Sequence, residues 1–391
     1  MCTATTYKTK CFYFGRNLDY ERGFGEQVVI TPRLFPLPMR HLPDLTRHYA
    51  MIGMASVQDG YPLYYDAVNE KGLCMAGLNF VRSAVYGPCA PGKANVAQFE
   101  LIPWLLGRCA TAAEARDLLA ESRITDDAFL PGLPPARLHW LLADREQCFA
   151  VEQTAEGLRV YEDPAGVLTN EPPFPMQLFR LNDYAQLSPQ PPENRFSPAL
   201  PLETYSRGMG AMGLPGDLSS PSRFVRAAFT RLNSRSGDGE AESVSQLLHI
   251  LGAAAQQRGC CVLEDGACEL TLYTSCCNAD TGVYYYTTYD AAQLCAVDMH
   301  RAELDGTNNR TGYASSAMDA ALDSLHTAQS AEDYYNAMQK VYDLIMQDLP
   351  VYTLCMRTRT QVVDRNVMVS AVAHQDEPYR GIETWTNIKE E

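Results

Sequence analysis

No run of about 18 uninterrupted apolar residues occurs in this 391-residue chain, which argues against a membrane-spanning helix. Basic clusters are missing too. The 32 Lys and Arg are scattered among 47 Asp and Glu, for a formal charge of −15. A chain so charged has no counter-charge for nucleic acid or an anionic membrane, so neither is expected as a partner. The amino terminus lacks a basic segment followed by roughly 7–15 apolar residues, so no export signal and a cytoplasmic location are expected. There is no CxxC pair and no HExxH, and the doublets Cys260–Cys261 and Cys276–Cys277 fit no zinc spacing. Neither a metal nor another cofactor is therefore expected. Without an export signal, the 13 cysteines are expected as reduced, mostly buried thiols.

What is present suits a large folded core: 46% of residues are hydrophobic and 20% charged. Stretches rich in β-branched and aromatic residues, at 2–19, 27–31, 50–57 and 63–80, are broken by Gly or Asp and predict strands and hairpins. "FELIPWLLGRCATAAEARDLLAES" has helical spacing in two segments, the second starting near Thr111 with Glu114 at capping-box distance. Further strands are predicted at "RLHWLLAD", "QCFAVEQT", "GLRVYED" and "AGVLTN". Helices resume at "SRFVRAAFTRLN" and "AESVSQLLHILGAAAQQ", and "ELTLYTSCC", "GVYYYTTYD" and "AQLCAVDM" complete the strands. Grouped strands and helices, without strict alternation, indicate antiparallel sheets enclosed by helices.

Residues 186–215 are Pro- and Gly-rich and too long for an ordinary connector, which suits a functional or subunit-contacting arm. After about residue 313 the character changes. Two helices over 315–347 and a strand at "LPVYTLCMRTRTQVV" read as an appendage, giving a main domain of residues 1–313 and a second segment of 314–391.

The amino terminus carries the chemistry. Methionine is readily removed before a small residue, which would leave Cys2 first, its thiol and free α-amine on one carbon. Such an amine, titrating near 8, can take the thiol's proton without any histidine. If residues 2–8 and 10–17 form a hairpin turning at Thr9, Cys2 faces Arg16, Ala4 faces Phe14 and Thr6 faces Phe12, all on one surface. A guanidinium beside a thiol favours thiolate. Asp19, expected just past the strand end, would hold the terminal amine. By pattern alone, an incidental Cys2 at a frayed terminus beside an ordinary surface Arg16–Asp19 pair is the weightier reading.

"MCT", "FGRNLDYE", "YDAVNEKGLCMAGLNF", "LHWLLAD", "GVLTNEPPF", "GLPGDLSSPSRFVRAAF" and "LTLYTSC…VYYYTTYD" lie in order across residues 2–310. Together they resemble the choloylglycine hydrolases, the family of bile salt hydrolases and penicillin V acylases among the N-terminal-nucleophile hydrolases. The resemblance implies an α+β fold, an αββα four-layer sandwich, and hydrolysis of an amide between an acyl group and a small amine. It casts Cys2 as nucleophile and its amine as base. Arg16 and Asp19 would set the thiol and the amine, Asn79 and Asn170 the oxyanion hole, and Arg223 would complete the polar ring. No cofactor is implied.

In this family the position of Asn79 tends to be Tyr in penicillin V acylases and Asn in bile salt hydrolases, which favours conjugated bile salts. Leu18, Tyr20, Phe24, Tyr65, Phe129 and Leu133 are expected to line a broad apolar wall for a steroid. "YSRGMG" resembles the glycine-preferring type, and the Pro-rich arm the segment between subunits of homotetrameric members. Two features depart from the family: a slightly short opening hairpin, and more than 70 residues beyond the usual end. That tail resembles the extreme end of peptide-type solute-binding proteins but is too short for their two lobes. The alternatives are therefore an acylase acting on penicillin V or other N-acyl amides and, in another class, a non-enzymatic solute-binding protein.

Overall fold

The computed structural model describes residues 1–132, 134–307, 321, 324–325, 327, 330–348, 367–368 and 386–387. The chain divides into two compact units, Met1–Tyr352 and Thr353–Glu391.

In the first unit the chain opens with β1 (Cys2–Lys8), β2 (Phe12–Tyr20), β3 (Gln27–Thr31), β4 (Met51–Gln58), β5 (Tyr61–Asn69) and β6 (Cys74–Asn79). A short parallel pair, β7 (Ala94–Ala97) with β8 (Ser122–Thr125), brackets helices α1 (Leu101–Arg108) and α2 (Ala112–Ala120). Next come β9 (Leu138–Ala143), β10 (Cys148–Thr154), β11 (Gly157–Glu162), β12 (Val167–Leu168) and α3 (Phe174–Arg180). Helices α4 (Ser220–Asn233) and α5 (Glu240–Gly252) precede β13 (Leu270–Asn278), β14 (Val283–Thr288) and β15 (Cys295–Asp298).

These strands build two antiparallel sheets, in the orders β12-β1-β2-β13-β14-β15 and β11-β10-β9-β6-β5-β4-β3. One apolar cluster fills the space between them and includes Phe14, Ile52, Leu78 and Tyr284. A second, with Trp104, Leu105, Trp140 and Leu142, lies between the seven-stranded sheet and α1 and α2. A third sets Tyr13 of β2 against Leu247 and Ile250 of α5. Both faces of each sheet are therefore covered, which is the expected four-layer αββα sandwich.

Strand parity sorts β2 between two of these clusters. Phe12, Phe14 and Leu18 face the other sheet, whereas Tyr13 faces α5 and Asn17 sends its amide to the Leu251 carbonyl at 2.9 Å. Burying one such phenylalanine contributes about 1.5–3 kcal/mol. The cap expected for α2 is present: Thr111 accepts from the Glu114 amide at 3.2 Å, and Glu114 reaches back to the Ala110 amide at 2.7 Å.

The hairpin register differs from expectation. Cys2 pairs with Leu18, Ala4 with Arg16, Thr6 with Phe14 and Lys8 with Phe12, two places further along β2. The turn takes Thr9, Lys10 and Cys11, closed by the Thr9 amide on the Cys11 carbonyl at 2.9 Å, instead of pivoting at Thr9. A two-residue slip leaves each side chain on the same face, so Cys2 and Arg16 still share one.

Among the described residues the free cysteines divide into five buried, five half-buried and two exposed, Cys89 and Cys260, so fewer are buried than expected. No helix of the described residues is long and apolar enough to cross a membrane. Of the tail elements, the second helix is α6 (Ala331–Asp348). The first lies largely outside the described residues, as do the expected strand at 349–363 and the boundary after residue 313. In the second unit β16 (Val367–Met368) pairs antiparallel with β17 (Thr386–Asn387).

Candidate active site

Cys2 starts β1, between β12 and β2, and only 2% of its surface is exposed. Its sulfur lies 2.7 Å from the Arg16 Nη2, reached diagonally across the hairpin. The other terminal nitrogen of Arg16 spans the sandwich, donating to the carbonyls of Tyr65 at 2.9 Å and Gly77 at 2.7 Å in the opposite sheet. Burial alone would lower the Arg16 pKa. The Cys2 thiol, Tyr273, Asp66 and Tyr284 reverse that, and its net displacement is upward, so the guanidinium stays charged.

The Cys2 nitrogen donates to Asn170 Oδ1 at 2.8 Å. Asn170 follows β12, and its amide Nδ2 donates to the Asn79 carbonyl at 2.8 Å, tying the two sheets together at the end of β6. Each amide nitrogen carries two hydrogens, so Asn170 keeps one for another acceptor. Among the described residues nothing engages the half-buried Asn79 carboxamide.

Arg223, in the first turn of α4, closes the ring. It donates to the Cys2 carbonyl at 2.5 Å, Thr3 Oγ1 at 2.7 Å, Asn170 Oδ1 at 2.7 Å and the Leu218 carbonyl at 3.0 Å. Burial lowers its pKa, and Asp19 and Cys2 oppose that.

Asp19 belongs to β2 itself, and its carboxylate does not reach for the terminal amine as expected. It points with the odd face of the strand toward α4, where Thr271 donates to Oδ1 at 2.6 Å and Gln256 to Oδ2 at 3.4 Å, with Arg223 at 3.8 Å. The Asp19 backbone binds Met1, its carbonyl accepting from the Met1 ammonium at 2.7 Å and its amide donating to the Met1 carbonyl at 2.9 Å, whereas the Cys2 nitrogen, the amine the expectation concerns, is held by Asn170. The ammonium also pairs with the buried carboxylate of Glu269, and burial lowers its pKa.

Of the expected apolar wall, Leu18 is opposite Cys2, Tyr20 stacks obliquely on exposed Phe24 with centroids 5.1 Å apart, and Tyr65 adjoins Arg16 through its carbonyl. Phe129 is not brought to Cys2 by any contact. Its ring packs on Tyr61 at 5.7 Å and Phe99 at 5.1 Å, in the cluster beneath α1 and α2. Leu133 lies outside the described residues.

Sequence reading missed Asp66, Gln256, Glu269 and Thr271. The available signal was an acid inside an otherwise apolar strand, as in "YPLYYDAVN", where burial demands partners.

The sandwich, with a cysteine at the head of an inner strand, has the fold of the N-terminal-nucleophile hydrolases. Within that class, the chain belongs to the linear amide C–N hydrolases of the choloylglycine hydrolase family, whose model matches residues 2–312. It is 52% identical over 307 residues to a bile salt hydrolase/transferase of Lactiplantibacillus plantarum, covering 78% of this chain and 95% of that protein. It is 36% identical over 317 residues to the bile salt hydrolase/transferase of Clostridium perfringens, covering 80% and 96%. A solved mutant of the conjugated bile acid hydrolase from Clostridium perfringens superposes with a TM-score of 0.74 at 35% identity, covering 81% of this chain and 97% of that one. The penicillin V acylase from Agrobacterium tumefaciens gives 0.63 at 18% identity, over 78% and 88%, a likeness of fold alone.

Proposed function

We propose that this protein hydrolyses the amide bond of conjugated bile salts, releasing glycine or taurine, with Cys2 as nucleophile after removal of Met1. The observation that carries the reading is the pair of contacts on one residue: Arg16 at the Cys2 sulfur, 2.7 Å, and Asn170 Oδ1 at its nitrogen, 2.8 Å. Once Met1 is gone that nitrogen is a free amine, held beside its own thiol.

The thiol proton passes to the α-amine and the sulfur attacks the amide carbon. The free hydrogens of Asn170 Nδ2 and the Asn79 carboxamide are the neutral donors for the resulting oxyanion. As the tetrahedral species collapses, the C–N bond breaks and the α-ammonium returns its proton to the departing amine. The same amine then takes a proton from water, the hydroxide adds to the thioester, and the acid leaves as the sulfur regains its proton. The relatives named hydrolase/transferase fit this scheme, because a second amine in place of water would yield a new amide.

Leu18, Tyr20, Phe24 and Tyr65 would form the steroid side of the site, with the glycine conjugate preferred. The arm near residues 186–207 exposes Phe196, Leu200, Leu202 and Tyr205, which supports subunit contact and a homotetramer. The cytoplasm is the proposed location.

The test compares glycine and taurine release from conjugated bile salts with phenoxyacetate release from penicillin V, in wild type and Cys2→Ala. Bile salt turnover that vanishes in Cys2→Ala, with glycocholate ahead of taurocholate, is expected. Faster penicillin V turnover would overturn the substrate, and Met1 retained in active enzyme the mechanism. Light scattering at monomer mass would refute the tetramer.

A further inference from the structure

Arg16 is wholly buried, yet Cys2 can balance its charge for only part of a reaction cycle. Before attack a thiolate faces the guanidinium; in the acyl-enzyme that sulfur is a neutral thioester. The Tyr65 and Gly77 carbonyls accept its hydrogen bonds but carry no net charge. A buried charge facing only neutral groups is strongly disfavoured.

An acidic residue stands in the opposite sheet, next in sequence to Tyr65, whose carbonyl accepts from Arg16 at 2.9 Å. Asp66, in β5, is 2% exposed, and three hydroxyls converge on it. Tyr273 donates to Oδ1 at 2.6 Å, while Tyr284 at 2.6 Å and Ser275 at 3.2 Å donate to Oδ2. Three donors and no competing acceptor suit a carboxylate rather than a carboxylic acid. Ser275 spends its one hydrogen on Asp66, so its oxygen is free to accept the Arg16 backbone N–H at 3.3 Å. The anion is thereby linked to the strand that carries the guanidinium. Burial pushes the Asp66 carboxyl up; Arg16 and the hydroxyls oppose this, and the net displacement is upward.

We propose that Asp66 is a positioning residue for the nucleophile: it is the standing counter-ion of Arg16, keeping the guanidinium charged and in place whether the Cys2 sulfur is thiolate or thioester. This rests on the Cys2 chemistry proposed above. The groups acting on Asp66 are Arg16 from β2, Tyr273 and Cys277 from β13, and Tyr284 from β14. Those acting on Cys2 are Arg16 and Tyr20 from β2, Arg223 from α4 and the Met1 amine.

Asp66→Asn keeps the shape and removes the charge, leaving a thiolate as the main anion beside Arg16. The rate of Cys2 alkylation by iodoacetamide, followed against pH by peptide mass mapping of the full chain, should then have its midpoint about one pH unit lower. A more stabilised thiolate is a weaker nucleophile, so kcat/KM should fall about threefold while the alkylatable fraction at low pH rises. A merely structural role would lower stability and activity without moving the midpoint. Tyr284→Phe removes one donor from the carboxylate and should shift the midpoint the same way by less; it carries the test should Asp66→Asn fail to fold. Midpoints that coincide with wild type, or rise, would overturn the proposal. Alkylation needs no substrate, so it separates this inference from the proposed activity, which fails instead if Cys2→Ala remains active.

Discussion

Arg223→Met offers the sharpest test of how the site is held together. The substitution removes four donated hydrogen bonds, to Cys2, Thr3, Asn170 and Leu218, and a charge 3.8 Å from Asp19. At an effective dielectric of about 20, the Coulomb term at that separation is about 4 kcal/mol. Desolvation of two fully buried ions offsets much of it, but truncating one partner leaves the Asp19 carboxylate, among the described residues, with hydrogen bonds from Thr271 and Gln256 alone. A net loss of about 3–5 kcal/mol is expected. At about 2.1 cal/mol/K per residue over the roughly 310 matched residues, 4 kcal/mol lowers Tm by about 6 °C. Urea unfolding of Arg223→Met, Asp19→Asn and the double variant supplies the measurement. The pair should show about 1–3 kcal/mol of coupling, because each substitution strands the other's charge. Additive effects, or a loss below about 1 kcal/mol for Arg223→Met, would mean that the guanidinium does not tie α4 to β1 and β2 energetically.

Two further outcomes follow from burial and close packing. Burial raises the Asp163 carboxyl to about 7, against hydrogen bonds from the Gly166 and Val167 amides, so the native state binds a proton that the unfolded chain releases at about pH 4. Its contribution to stability is therefore present below about pH 4 and lost as pH rises through about 7, on the order of 4 kcal/mol. Denaturation against pH should show wild type falling relative to Asp163→Asn across that window, and parallel curves would refute the assignment. Gly15→Ala places a methyl against the Ser275 carbonyl and Leu247, where β2 passes β13 and α5. It should cost about 1–3 kcal/mol by overpacking, and a Tm within 1 °C of wild type would show that the contact relaxes freely.

What the chain declares about itself is what short-range physics writes. Thr111 and Glu114 are three residues apart and cap α2 as that spacing requires. Alternation in "FYFGRNLDY" assigns Phe12, Phe14, Arg16 and Leu18 to one face, and parity survives the two-residue error in register. The candidate nucleophile was visible because amine and thiol sit on a single residue. Asn170 and Arg223 came instead from family resemblance, since no local pattern marks a partner 168 or 221 residues away. Tertiary structure alone decided that the Asp19 carboxylate faces Arg223 and Thr271, that Phe129 packs beneath α1 and α2, and that Ser275 links Asp66 to Arg16. The reason is physical: parity and capping act within a strand or a turn. The partner of a buried charge is set by how two whole sheets and their helices stack, and that stacking is a property of the assembled core.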